Sequence, residues 1–162
     1  MSHALHHRHA GLTPRQGFLP PRYRVQPWGE AGAAGLAPVA LLTDTYGEEC
    51  PQGQRRLCLG WDAEALFVVG EVAEAQPVAH PERAVTDGRF WEQDHLELRL
   101  LPDPARDLDQ IQVMLAISGR CLLSRPGQAV ADGVAAGISC TVTQSVGKWQ
   151  VSARLPWTVL GL

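Results

Sequence analysis

After roughly the first 35 residues the chain repeats one pattern: short runs in which apolar and polar residues alternate, each closed by turn residues. A period of two belongs to a strand with one buried and one wet face, and several such runs at short spacing predict an all-β, antiparallel β-sandwich. Arg55 to Trp61 sets Leu57, Leu59 and Trp61 on one side, Asp62 to Glu64 turns the chain, and Ala65 to Ala73 runs back, which predicts a hairpin. From Asp94 to Leu101, Leu96, Leu98 and Leu100 face one way while His95, Glu97 and Arg99 face the other. Gln110 to Ile117 alternates again, with Ile111, Val113, Leu115 and Ile117 inward and Gln110, Gln112 and Met114 outward, like Glu97.

Ser118 to Arg120 reads as a tight turn into a run at Cys121 to Ser124, and Pro126 to Gly133 as an irregular loop. Ile138 to Thr143 and Trp149 to Leu155 predict a second hairpin turned at Ser145 to Gly147, with Trp149, Val151, Ala153 and Leu155 on one face. Pro156 ends that ladder because proline has no backbone N–H to donate. Trp61 and Trp149 share their faces with Leu and Val and are expected in the core, and Trp157 is expected to plug the end of the sandwich. Residues 1–35, with Pro14, Pro20, Pro21 and Pro27 and a Gly/Ala stretch, show no periodicity and read as a flexible N-terminal arm before a domain at 36–162. Trp28 in that arm either packs back on the sheet or stands as an aromatic platform.

A length of 162 residues with 45% apolar content suits one domain with a real core. The net charge of −3 and a single lysine, Lys148, argue against nucleic acid or an anionic membrane as partner. The N-terminal residues contain no apolar signal core and no run of about 18 apolar residues occurs, so neither secretion nor membrane insertion is expected and the default compartment is the cytoplasm. Cys50, Cys58, Cys121 and Cys140 are numerous enough for two disulfides, but their spacing matches neither a zinc ribbon nor a redox pair, and free thiols are the preferred reading. His3, His6, His7 and His9 offer metal-binding groups on a segment whose ordering entropy opposes a site.

The segment from Asp87 to Leu101 carries the chemistry. A pyranose ring offers a C–H face to an aromatic ring and a rim of hydroxyls to carboxylates and amides, so Trp91, Glu97 and Gln112 suit sugar as a set. The plainer alternative is that Trp91 caps the sheet edge. Asp94 is read as a turn-capping or loop-fixing group ahead of a ligand to sugar or calcium.

Three segments in order, Trp61 to Val72, Phe90 to Leu100 and Trp149 to Leu162, resemble the family 9 carbohydrate-binding module and the wider DOMON-like superfamily. The most specific is the Trp-x-x-Asp-x-x-Glu spacing of Trp91, Asp94 and Glu97, and the likeness covers roughly residues 37–162. It implies a jelly-roll type sandwich, no catalysis, no obligatory cofactor, and a slot for the end of a mono- or oligosaccharide, usually in the service of a glycoside hydrolase. It also implies an extracellular setting, sugar stacking on Trp91 and a hydroxyl-accepting carboxylate at Glu97. The sequence departs from the family in two places. Gln112 stands where an Arg often reaches the sugar, and the chain stops at Leu162 before the family's last strands and second clamping Trp. The second departure predicts a one-sided platform and an open sheet edge that the arm or a second protein chain would cover.

Two other classes have some support in the residues. Glu92 and Glu97 resemble a glycosidase pair in composition alone, and no nucleophile elbow, phosphate loop, dinucleotide fingerprint or zincin motif is present. The superfamily also includes haem-binding domains, for which Met114 with His80 or His95 would be the axial candidates, a reading ranked below sugar binding. The runner-up to sugar binding is a structural or interaction domain that pairs through its open edge.

Overall fold

The computed structural model describes residues 25–39, 55–103 and 109–162. It is a sandwich of two sheets. The strands are β1 (Gln26–Pro27), β2 (Arg55–Trp61), β3 (Ala65–Ala73), β4 (His95–Leu100), β5 (Ile111–Ala116), β6 (Cys121–Ser124), β7 (Ala131–Asp132), β8 (Ser139–Ser145) and β9 (Lys148–Pro156), followed by the short helix α1 (Trp157–Leu160). The first sheet has the order β1-β2-β3-β9-β8 and the second β4-β5-β6-β7. All pairings are antiparallel except β1 with β2.

Both predicted hairpins form. In the first, Asp62 Oδ1 accepts the backbone N–H groups of Glu64 and Ala65 at 2.7 and 2.8 Å, which closes the turn locally. In the second, Ser145 pairs with Lys148, leaving Val146 and Gly147 as the turn, and Gly147 supplies the positive φ of 75° that a type II turn needs at its second central residue.

The core lies between the sheets. Leu57, Leu66, Val68, Trp149, Val151 and Leu155 of the first sheet meet Leu98, Ile111, Val113, Leu115 and Leu123 of the second. Where β3 crosses β4 the layers come so close that a Cβ on Gly70 would overlap the Leu96 side chain. Trp149 is buried, as its face predicts, and Trp157 packs against the core at the sandwich end, with its indole N–H donated to the Asp62 carbonyl at 3.0 Å.

The structure corrects two expectations. Trp61 is not a core residue: it is 44% exposed. It closes β2 at the end of the sandwich, where its indole N–H reaches the Val25 carbonyl instead of a facing sheet. The loop at 126–133 contains the two-residue strand β7, which pairs with β6. Met114 points outward, as its parity predicts, and is 4% exposed because the segment between β3 and β4 folds over it.

Residues 25–39, most of them within the predicted arm, run along β2. Trp28 stacks on Phe67 on the outer face of the first sheet, with centroids 4.4 Å apart. Its ring lies over Gly60, where an added Cβ would come within 2.8 Å of it. Trp28 therefore takes the first of its two predicted roles, packing back on the sheet. Cys58, Cys121 and Cys140 are free thiols. Cys50 and the four N-terminal histidines lie outside the described residues.

Candidate functional site

The outer face of the second sheet divides into an apolar and a polar half. In the β4–β5 register His95 faces Ala116, Glu97 faces Met114 and Arg99 faces Gln112. Since alternate residues share a face, His95, Glu97, Arg99, Gln112, Met114 and Ala116 all look away from the core. Met114, Ala116 and Leu122 form the apolar half, covered by Val85 and Phe90.

Those two residues belong to the segment between β3 and β4, which folds back as a flap. Its fastenings are polar. Asp94 accepts the Val78 N–H through Oδ2 and donates its own N–H to the Val78 carbonyl, both at 2.8 Å. This is the loop-fixing role preferred for Asp94 from the sequence. The Gln93 side chain, 3% exposed, donates to the Phe90 carbonyl and accepts the His80 N–H. Arg83 reaches both the Arg89 carbonyl at 2.8 Å and the Glu92 carboxylate at 2.7 Å, and Arg120 donates to the Pro81 carbonyl. Phe90 and Trp91 share one 3₁₀ turn, Phe90–Glu92, in which successive side chains are about 120° apart and so meet different surroundings. Phe90 is 1% exposed and Trp91 is 61% exposed. The Trp91 indole N–H donates to the Gly88 carbonyl at 2.9 Å, which fixes the ring's edge.

The polar half holds Glu97, Arg99 and Gln112. Glu97 Oε1 accepts from Arg99 Nε at 2.6 Å and from Gln112 Nε2 at 2.9 Å. The structure thus joins Glu97 and Gln112 directly. Trp91 is linked to them through its neighbour Phe90, which packs on Met114, the cross-strand partner of Glu97. Chemically the arrangement offers an aromatic face, one carboxylate, one guanidinium and one amide, all accessible to water.

Sequence reasoning missed Arg99, although its outward parity was readable, and missed the flap fastenings at Arg83 and Gln93, which no periodicity marks. Glu92 lies on the flap paired with Arg83 rather than on the strand with Glu97. His95 Nδ1 lies 2.7 Å from the Gln93 carbonyl, and Met114 sits in the apolar cluster. Among the described residues no group of three or more His, Cys, Asp or Glu side chains is arranged to hold a metal ion.

A second depression, of about 620 Å³, is lined by Ala63, Glu64, Arg154, Pro156, Trp157, Thr158 and Leu162 and shares no residue with the cluster around Glu97. It is shallow and open. Burial raises the Cys121 thiol to about 12 and the Cys140 thiol to about 11, so both stay protonated and unreactive at neutral pH.

These features define a two-sheet sandwich with a polar patch on one outer face. Among solved structures, the chain is similar to a family 9 carbohydrate-binding module from Caldicellulosiruptor kristjanssonii determined in complex with cellotriose. The TM-score is 0.54 at 14% sequence identity, and the match covers 82% of this chain and 65% of that one. The chain therefore spans just under two thirds of the length of that structure, and the likeness is one of fold. No protein-family model matches the sequence, and no curated protein matches it.

Proposed function

We propose that this chain is a non-catalytic carbohydrate-binding domain that takes the end of a mono- or oligosaccharide. In this reading Trp91 stacks on a sugar ring while Glu97 and Gln112 hydrogen-bond its hydroxyls. The observation that carries it is that the flap bears an exposed, edge-fixed indole while the outer face of the strands it folds over bears a hydrogen-bonded carboxylate–amide pair. The cellotriose held by the structural neighbour supports a sugar as the ligand class. One aromatic face with few converging groups makes weak binding the expectation, and attachment to a glycoside hydrolase is the natural setting for such a domain.

Isothermal titration with glucose, cellobiose, xylose and xylobiose tests this. Heat with at least one of them, lost in Trp91→Ala, is the predicted result. No heat with any of the four, or equal binding by the variant, refutes the site.

A second reading is favoured by one observation: among the described residues β4 pairs on one side alone, with β5. A free sheet edge can accept a strand from another chain. Light scattering coupled to size exclusion separates the readings, since a monomer at high concentration counts against edge pairing.

A further inference from the structure

Two donors from different strands converge on one oxygen of Glu97. Arg99 Nε lies 2.6 Å and Gln112 Nε2 lies 2.9 Å from Oε1. Arg99 and Gln112 are cross-strand partners, and Glu97 lies two residues back on the same face, so the sheet's own register sets this triangle. A carboxylate can accept about four hydrogen bonds over its two oxygens. With both donors on Oε1, no described residue donates to Oε2. The Gln112 amide must turn its NH₂ toward the carboxylate, which leaves its carbonyl oxygen pointing away.

We infer that Arg99 is a positioning residue for this patch: its guanidinium pins Glu97 Oε1, leaving Oε2 and the Gln112 carbonyl as two neighbouring acceptors for adjacent hydroxyls of a neutral polyol. The inference rests on the sugar-binding reading and adds to it a residue and a direction of hydrogen bonding. The bound hydroxyls donate, and the protein accepts. The charges of Arg99 and Glu97 cancel locally, so the patch has no net attraction for an anionic sugar acid. An ordinary surface ion pair would leave the same distance between the two side chains. It would not couple Arg99 to ligand binding through Glu97.

That coupling is measurable. An exposed pair contributes little to stability, so with its side chain 66% exposed Arg99 can be removed without unfolding the domain. Titrations with cellobiose on the wild type, Arg99→Ala, Glu97→Gln and the double variant form a cycle. Arg99→Ala should weaken binding about tenfold, the size of one charge-assisted hydrogen bond. Glu97→Gln should weaken it at least as much, and the double variant should bind no worse than Glu97→Gln alone. Unchanged binding by Arg99→Ala, or losses that add in the double variant, overturns the positioning role while leaving sugar binding in place. A wild type that gives no heat with cellobiose, glucose, xylose or xylobiose removes the sugar reading and this inference with it.

Discussion

Phe90 and Trp91 are neighbours on one turn with opposite surroundings, and replacing each by alanine should separate fold from function. Phe90 is 1% exposed among Val85, Met114, Ala116 and Leu122. A buried phenyl removes on the order of 150 Å² of apolar surface from water, worth roughly 25 cal/mol per Å². Phe90→Ala should therefore cost about 3–4 kcal/mol, within the range expected for emptying a packed aromatic site. Trp91, 61% exposed, keeps roughly 100 Å² from water and makes one exposed hydrogen bond to Gly88, so Trp91→Ala should cost about 2–3 kcal/mol, less than Phe90→Ala. Urea denaturation followed by circular dichroism gives both values from the shift in midpoint. Phe90→Ala should also loosen the flap, and under the proposed function it should lose sugar binding with it, whereas Trp91→Ala should lose that binding on an intact fold. Equal midpoints for the two variants, or a more damaging Trp91→Ala, would refute the claim that Phe90 anchors the flap and leaves Trp91 free.

Three further outcomes follow from the geometry. Gly60→Ala should drive its new methyl into Trp28 and Leu36, costing about 1–3 kcal/mol and changing the near-ultraviolet dichroism of the Trp28–Phe67 stack; an unchanged spectrum would show that Trp28 does not lie on the sheet. Asp94→Ala should cost about 1–3 kcal/mol and speed hydrogen exchange at the Val78 amide, and unchanged exchange there would contradict the clamp. Cys121, raised by burial from its ordinary 9.0 to about 12, binds its proton more tightly folded than unfolded. Its contribution to stability is complete below pH 9 and is lost as pH rises from 9 towards 12, by up to about 1.4 kcal/mol per pH unit. Denaturation at pH 8 and pH 10.5 should show a smaller loss in Cys121→Ala than in the wild type, and equal losses would contradict a buried, protonated Cys121.

The strands were legible because their inward positions are nearly all Leu, Val and Ile, so direction and chemistry agree along β2 to β5 and along β9. Period two reports direction, not depth, and Trp61 and Met114 show the difference. Trp61 shares its parity with Leu57 and Leu59, but it is the last residue of β2 and is 44% exposed. Met114 has outward parity, yet the flap buries it. The flap carries no periodicity. Its closure depends on hydrogen bonds among Val78, Arg83, Gln93 and Asp94, whose partners are up to 16 residues apart, and no local pattern announces such contacts. Likewise Glu97 and Gln112 were readable as one face from parity alone, while the convergence of Arg99 on the same carboxylate oxygen required the β4–β5 register.

The most direct test of the central claim is a ¹H–¹⁵N spectrum recorded during titration with cellobiose, read at three side-chain signals. Sugar binding at this patch predicts shifts concentrated at the Trp91 indole, the Gln112 amide and the Arg99 Nε–H group, with the Trp28 and Trp149 indoles unmoved. Shifts centred elsewhere, or none at all across the glucose and xylose series, would contradict it.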